Sequence, residues 1–194
     1  MLAAVGKDGV VGRLLIVTGP PGAGKSTVAQ LMARRAELSV LVEGDAFFGF
    51  LAAGAIAPWL PESATQNETV TRAAGAASGE LVRGGFTVVY DGVLGPWYVD
   101  EFLRAAQLRQ ADYAVLLPPV DVCVQRVAER RGHGFTDESA TRHMHDQFNT
   151  RSSDGRYLLR DLPDAPEAVS DLIDERRASG QLAYQASGAF GRTS

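Results

Sequence analysis

Arg13-Leu14-Leu15-Ile16-Val17-Thr18-Gly19-Pro20-Pro21-Gly22-Ala23-Gly24-Lys25-Ser26-Thr27 changes character halfway along. Arg13 to Thr18 is a short apolar run closing on a glycine, which predicts a buried strand. From Lys25 to Ala36 helix formers take over, with Val28, Leu31 and Met32 at the spacing of one helix face. Between the two, Gly19 to Ser26 matches G-x-x-x-x-G-K-S, and the flanking strand and helix separate a phosphate loop from an incidental glycine-rich turn. The glycines let the backbone wrap an anion, and successive N–H groups at the helix start face it. Residues Gly19, Pro20, Pro21, Gly22, Ala23, Gly24, Lys25, Ser26 and Thr27 are therefore the expected nucleotide-binding set. Lys25 would reach the β- and γ-phosphates of ATP, and Ser26 would offer its hydroxyl to Mg²⁺.

Further apolar runs lie at Val40–Val42, Phe86–Tyr90, Tyr113–Leu117 and, more weakly, Tyr157–Leu159. Helical patterns run from Gln66 to Val82 and from Val120 to Arg131, and another starts at Thr136 or Asp137 and runs towards Asn149. Asp164 with Glu167 resembles a capping box, and Gly180 after Arg176 and Arg177 reads as a helix stop. Strands alternating with helices predict a three-layer α/β domain with a parallel sheet covered on both faces. One domain over 1–194 is expected, with a core of about 13–180, a lid of about 130–150 and a loose tail at 181–194.

Composition narrows the partners. Of 194 residues 45% are hydrophobic and 22% charged, with a formal net charge of −4. No broad basic surface follows, so a nucleic-acid partner is not expected. A single cysteine, Cys123, forbids an intrachain disulfide and reads as a small buried hydrophobe. The first twelve residues carry one lysine, Lys7, and no long apolar run. Neither a secretion signal nor a membrane span is expected, and the location read from this is cytoplasmic. His143 and His145, two apart on a helix, point to different sides and do not suggest a zinc site with His133.

Ligands in open α/β sheets bind beyond the carboxyl ends of the strands. Glu43, Asp45 and Asp91 fall there. Asp91 closes the run Thr87 to Tyr90, the pattern of an acid that orients magnesium or its waters. Asp45 ends the second strand, where a kinase acting on a small molecule would place the base for the acceptor hydroxyl. The structural alternative for both is a helix cap, since each precedes a possible helix. Arg126, Arg130 and Arg131 lead into Gly132-His133-Gly134, as a basic lid segment would. Arg126 and Arg130 share a helix face, while Arg131 points about 100° away. Phe47, Phe48, Phe50, Trp59, Trp97 and Tyr98 could wall an apolar acceptor pocket or form core under long loops. Asp45, Phe48, Trp59, Asp91 and, by analogy with small-molecule kinases, Arg72 are the expected acceptor-side residues, Arg72 there to hold a carboxylate or phosphate.

The phosphate loop, Glu43-Gly44-Asp45, Pro58-Trp59, Tyr90-Asp91-Gly92 and the segment from Arg126 through Arg130-Arg131-Gly132-His133 together resemble the gluconate-kinase-like and chloramphenicol-phosphotransferase-like P-loop kinases. The resemblance runs in order from about Arg13 to Asn149. It implies a nucleoside-monophosphate-kinase-like fold with a five-stranded parallel sheet in the order 2-3-1-4-5 and a helical lid. It also implies that Asp45 is the base and that Arg130 and Arg131 belong to the lid. Leu159 to Pro163 would lie near adenine. Phe47-Phe48-Gly49-Phe50 departs from the polar segment of gluconate kinases and points to a more apolar acceptor. The expected activity is ATP- and Mg²⁺-dependent transfer of phosphate to a hydroxyl of a small molecule, an antibiotic, other natural product or sugar acid, by a monomer or homodimer. An ATP-binding regulatory switch is the alternative from another class, and a nucleic-acid end kinase a further one.

Overall fold

The computed structural model describes residues 12–129, 137–152 and 154–187. β1 (Arg13–Thr18) lies at the centre of the sheet, flanked in parallel by β3 (Thr87–Asp91) and β4 (Gln110–Leu116). β2 (Ser39–Glu43) pairs outside β3, and β5 (Leu158–Leu159) pairs outside β4, both in parallel. The order is 2-3-1-4-5, as the resemblance implied. A further strand, β6 (Ala183–Gln185), runs antiparallel to β4, matching Gln110 with Gln185. The segment from Gln181, read above as a loose tail, thus begins as part of the sheet, and Leu182 is fully buried.

Strand alternation divides the core. Leu14 and Ile16 face one side of β1 with Val88, Tyr90, Tyr113 and Val115. That side is covered by α3 (Ala64–Arg83) and α4 (Val99–Ala106). Phe148, from a helix described below, is buried on the same side. Leu15 and Val17 face the other side, under α1 (Lys25–Arg34), Cys123, Val169 and Ile173. Side chains on a strand point alternately to opposite faces, so continuous apolar runs are what two covered faces require.

The remaining elements are α2 (Gly44–Phe48), α5 (Val120–Glu129), α6 (Glu138–Arg151) and α7 (Pro166–Ala178). Asp137 caps α6, accepting from the Ala140 N–H at 2.9 Å. At α7 the expected Asp164 cap is not used. Ala165 holds the cap position with Pro166 in the first turn, because a proline needs no N–H partner there. Gly180 does follow the helix end, at φ 74°. No described helix is long and apolar enough to cross a membrane.

Candidate active site

The loop after β1 is built by its glycines in two ways. Gly19, Gly22 and Gly24 all have positive φ (145°, 78° and 94°), which side chains resist. A Cβ on Gly19 would also meet the Leu116 carbonyl at 2.2 Å, and one on Gly22 the Cys123 carbonyl at 2.2 Å. The loop therefore sits directly on the end of β4 and the start of α5. A Cβ on Gly24 would touch nothing closer than 3.7 Å, so there the backbone angle alone selects glycine. Lys25 Nζ donates to the Pro20 carbonyl at 3.0 Å and so arches over the loop.

Asp91, the last residue of β3, is paired in register with Val17 on one side and Glu43 on the other. Its carboxylate is buried and bonded to Ser26, and its Oδ1 has no protein partner. Burial pushes its pKa up; the Ser26 hydrogen bond and the Lys25 charge oppose that, while Asp45 and Glu43 add to it. A buried carboxylate oxygen without a donor is costly unless something positive or protic completes it. Ser26 and Asp91 thus form a donor set that fits a hard divalent cation and its waters. The backbone beyond Asp91 is fixed as well: Leu94 N–H donates to Thr18 Oγ1 at 2.8 Å, and the Tyr113 hydroxyl to the Leu94 carbonyl at 2.8 Å.

Asp45 lies in the first turn of α2, exposed, and makes no side-chain cap. Its charge acts on both Asp91 and Tyr90, so the structure brings the two strand-end acids together. Tyr90 lies between their backbones. A Cβ on Gly44 would fall 2.3 Å from the Tyr90 hydroxyl, and one on Gly92 2.9 Å from it. The glycines of Glu43-Gly44-Asp45 and Tyr90-Asp91-Gly92 are there to admit one phenol.

On the other flank of the loop is a cleft of about 530 Å³. Gly24, Arg126, Arg160, Leu162, Pro163 and Pro118 are among its lining residues. Arg126 Nη1 donates to the Gly22 carbonyl at 3.5 Å, which places this arginine against the phosphate loop. Arg130, Arg131 and His133 lie outside the described residues. α6 is fastened beside the cleft: Arg142 bonds Asp121 of α5 at 2.9 Å, and the His145 Nε2 meets the Pro118 carbonyl at 2.9 Å. Arg160, tied to Asn149 Oδ1 at 2.7 Å, was not singled out by sequence; a cation directly after an apolar strand was its only signal.

Arg72 and the aromatics after the strand ends are placed as follows. Arg72 is salt-bridged to Glu68 at 2.9 Å and Glu101 at 3.5 Å, on an exposed face shared by α3 and α4. Its carboxylate partners are internal, because Glu68 lies one turn away on the same helix face. Trp97 and Tyr98 pack against the core, Trp97 with its ring 5.4 Å from that of Phe148. Phe47 also packs on the core, while Phe48 is half-buried and Phe50 and Trp59 are exposed.

The AAA_33 family model, described as an AAA domain, matches residues 14–154. A cytidylate kinase of Archaeoglobus fulgidus is 26% identical over 139 residues, covering 71% of this chain and 72% of that protein. The fold superposes on a tunicamycin resistance protein of Deinococcus radiodurans with a TM-score of 0.64, at 14% identity over 86% of this chain and 95% of that one. A sugar kinase from Janibacter sp. HTCC2649 gives 0.60, at 22% identity over 83% and 91% of the two chains. Shikimate kinase from Acinetobacter baumannii gives 0.56, at 18% identity over 88% and 93%. The matched span takes in the phosphate loop, both strand-end acids and α5, and the chain belongs to the AAA_33 family and has the P-loop kinase fold.

Proposed function

We propose that the protein transfers the γ-phosphate of ATP to a hydroxyl of a small molecule, with Mg²⁺ held by Ser26 and Asp91. The observation that carries this reading is the buried Asp91 carboxylate at the head of the loop, bonded to Ser26 yet with Oδ1 unpartnered. The triphosphate would follow the loop, with Lys25 turning from the Pro20 carbonyl to the β- and γ-oxygens. Arg126, already against Gly22, would lie along the same charge, and Arg130 and Arg131 would extend it from the lid. The cleft lined by Leu162 and Pro163 has the volume and apolar walls for the base. The metal, when bound, neutralises charge on the transferring group.

Asp45 would take the proton from the acceptor hydroxyl as that oxygen attacks phosphorus. A cluster of Glu43, Asp45 and Asp91 repels a second phosphate, which favours a hydroxyl over a nucleotide phosphate as acceptor. Phe48 and Trp59, the aromatics expected on the acceptor side, follow Asp45 in sequence. The soluble, cytoplasmic setting expected from composition belongs to this proposal too.

The test is ADP release from ATP and Mg²⁺ over a library of sugar acids, nucleosides, aminoglycosides, phenicols and peptide antibiotics. Acceptor-dependent release that disappears in Lys25→Ala is expected. Asp45→Asn should cost a factor of about 10² or more in kcat while ATP affinity holds, the usual size of a general-base contribution. ATP binding without release against any acceptor would instead favour a nucleotide-dependent switch.

A further inference from the structure

Exposed apolar side chains are not scattered over this molecule. Among the described residues the large ones are Leu38, Phe50, Ile56, Trp59, Leu60 and Val93, with Phe50 74% exposed. Leu38 precedes β2; the other five follow β2 or β3, at the carboxyl edge of the sheet where Asp45 and Asp91 lie. Single exposed apolar residues need no explanation, but a group gathered at one end beside a site does.

The segment bearing them is held in place. Gln66 clasps Ile56 through both backbone groups, accepting from its N–H at 2.8 Å and donating to its carbonyl at 2.7 Å. Asn67 and Ser63 donate to the Pro58 carbonyl at 2.7 and 2.9 Å. The first turns of α3 thus satisfy the segment's own polar groups and leave its apolar side chains outward. Phe50 meets the ring of Phe47 edge to face, 5.4 Å between centroids, and Phe47 is seated on the core. The patch is anchored at both ends.

Charge is equally uneven. From Ala46 to Pro61 there is no charged residue. Arg72, the cation read as an acceptor-side anion receptor, is held by Glu68 and Glu101. From Ala46 to Pro61 an anionic acceptor would meet no cation, whereas an uncharged molecule with an apolar portion would cover exposed apolar side chains.

We infer that the acceptor is an uncharged amphiphile, presenting its hydroxyl to Asp45 and laying an apolar chain or ring system along Phe50, Ile56, Trp59, Leu60 and Val93. The inference rests on the proposed transfer to a hydroxyl and adds its substrate class.

The test uses n-alkyl β-glucosides from ethyl to octyl, below micelle formation, against glucose, gluconate and cytidine monophosphate. Binding is followed by calorimetry and by tryptophan emission in the presence of ATP and Mg²⁺, with Trp59→Ser separating the Trp59 signal from that of Trp97. The dissociation constant is expected to fall about twofold per added methylene, as for a methylene half withdrawn from water. Phe50→Ser and Trp59→Ser, both at exposed positions, should flatten that dependence while the affinity for ATP, read by calorimetry, stays unchanged. Binding that is flat or absent across the alkyl series, or tighter binding of gluconate or cytidine monophosphate, overturns the inference. So does a concentration-dependent dimer in sedimentation that Phe50→Ser abolishes, since a second copy would then be the occupant. Chain-length-dependent binding without any acceptor-stimulated ADP release would leave the surface standing and remove the kinase reading; turnover of a polar or anionic acceptor would do the reverse.

Discussion

Asp91 is the described carboxylate whose folded environment disfavours its charge. Its pKa is raised, chiefly by burial, above the value it has in an unfolded chain. Below the unfolded value both states are protonated and the group contributes nothing to stability. As pH rises through the interval up to the folded pKa, the unfolded chain gives up its proton first, so stability falls, and above the interval the penalty is constant. Asp91→Asn keeps an oxygen for Ser26 and carries no charge. It should be more stable than the wild type at pH 7, with the gap closing as pH is lowered towards 4, as urea unfolding at the two pH values would reveal. A variant less stable at pH 7 would mean that the carboxylate is stabilising and that its unpartnered oxygen is not a strained position. The position of Asp91 was legible because an apolar strand closing on an acid is visible in a string of letters. That Tyr90 dictates Gly44 and Gly92 was not, because the phenol and the first glycine meet across neighbouring strands whose register no local pattern states.

At the scale of elements, what was legible depended on whether a helix or strand is shaped by its own sequence or by its neighbour. β1, β3 and β4 are apolar runs because both faces are covered, and they could be placed to within a few residues. α4 was left unassigned although Val99, Phe102, Leu103 and Ala106 trace one face, because eight residues after a loop of glycine and proline give a short signal. β6 has three residues and no pattern of its own; it exists because β4 offers Gln110 to Asp112 as an edge. The packing of α3 on α4 carried a signal that went unread. A Cβ on Gly75 would fall 2.5 Å from the Phe102 carbonyl, and one on Gly79 2.1 Å from the Ala106 carbonyl. Two glycines four apart let these helices touch along their backbones. Gly79→Ala gains about 1 kcal/mol in helix propensity, but it must push α4 away, an overpacking cost of roughly 1–3 kcal/mol. A net loss of about 1 kcal/mol is expected from chemical denaturation. A gain would show that α4 can shift at no cost.

On the scale of the whole molecule the candidate site is a junction and not a segment. The phosphate loop comes from β1, the proposed metal-facing acid from β3, the proposed base from α2 just beyond β2, and the flanking arginine from α5. Each is attached to a different part of the sheet, and the loop's glycines press on the ends of both β4 and α5. A ligand that engages all of them binds only the folded chain, so it must raise the unfolding temperature by mass action. At a hundredfold excess over its dissociation constant ATP with Mg²⁺ would add about 2.7 kcal/mol, or roughly 5–10 °C for a chain of this length. Without the metal the shift should shrink, because the acidic cluster would then face the triphosphate unscreened. Lys25→Ala should remove most of the shift, since its Nζ lies against the loop, bonded to the Pro20 carbonyl. Asp91→Asn should instead start from a higher midpoint at pH 7 and gain little from Mg²⁺ beyond what ATP alone provides. The pair is diagnostic in differential scanning fluorimetry. If Asp91→Asn keeps the full Mg²⁺-dependent increment, the metal is held elsewhere, and the unpartnered oxygen at the head of the loop has some other use.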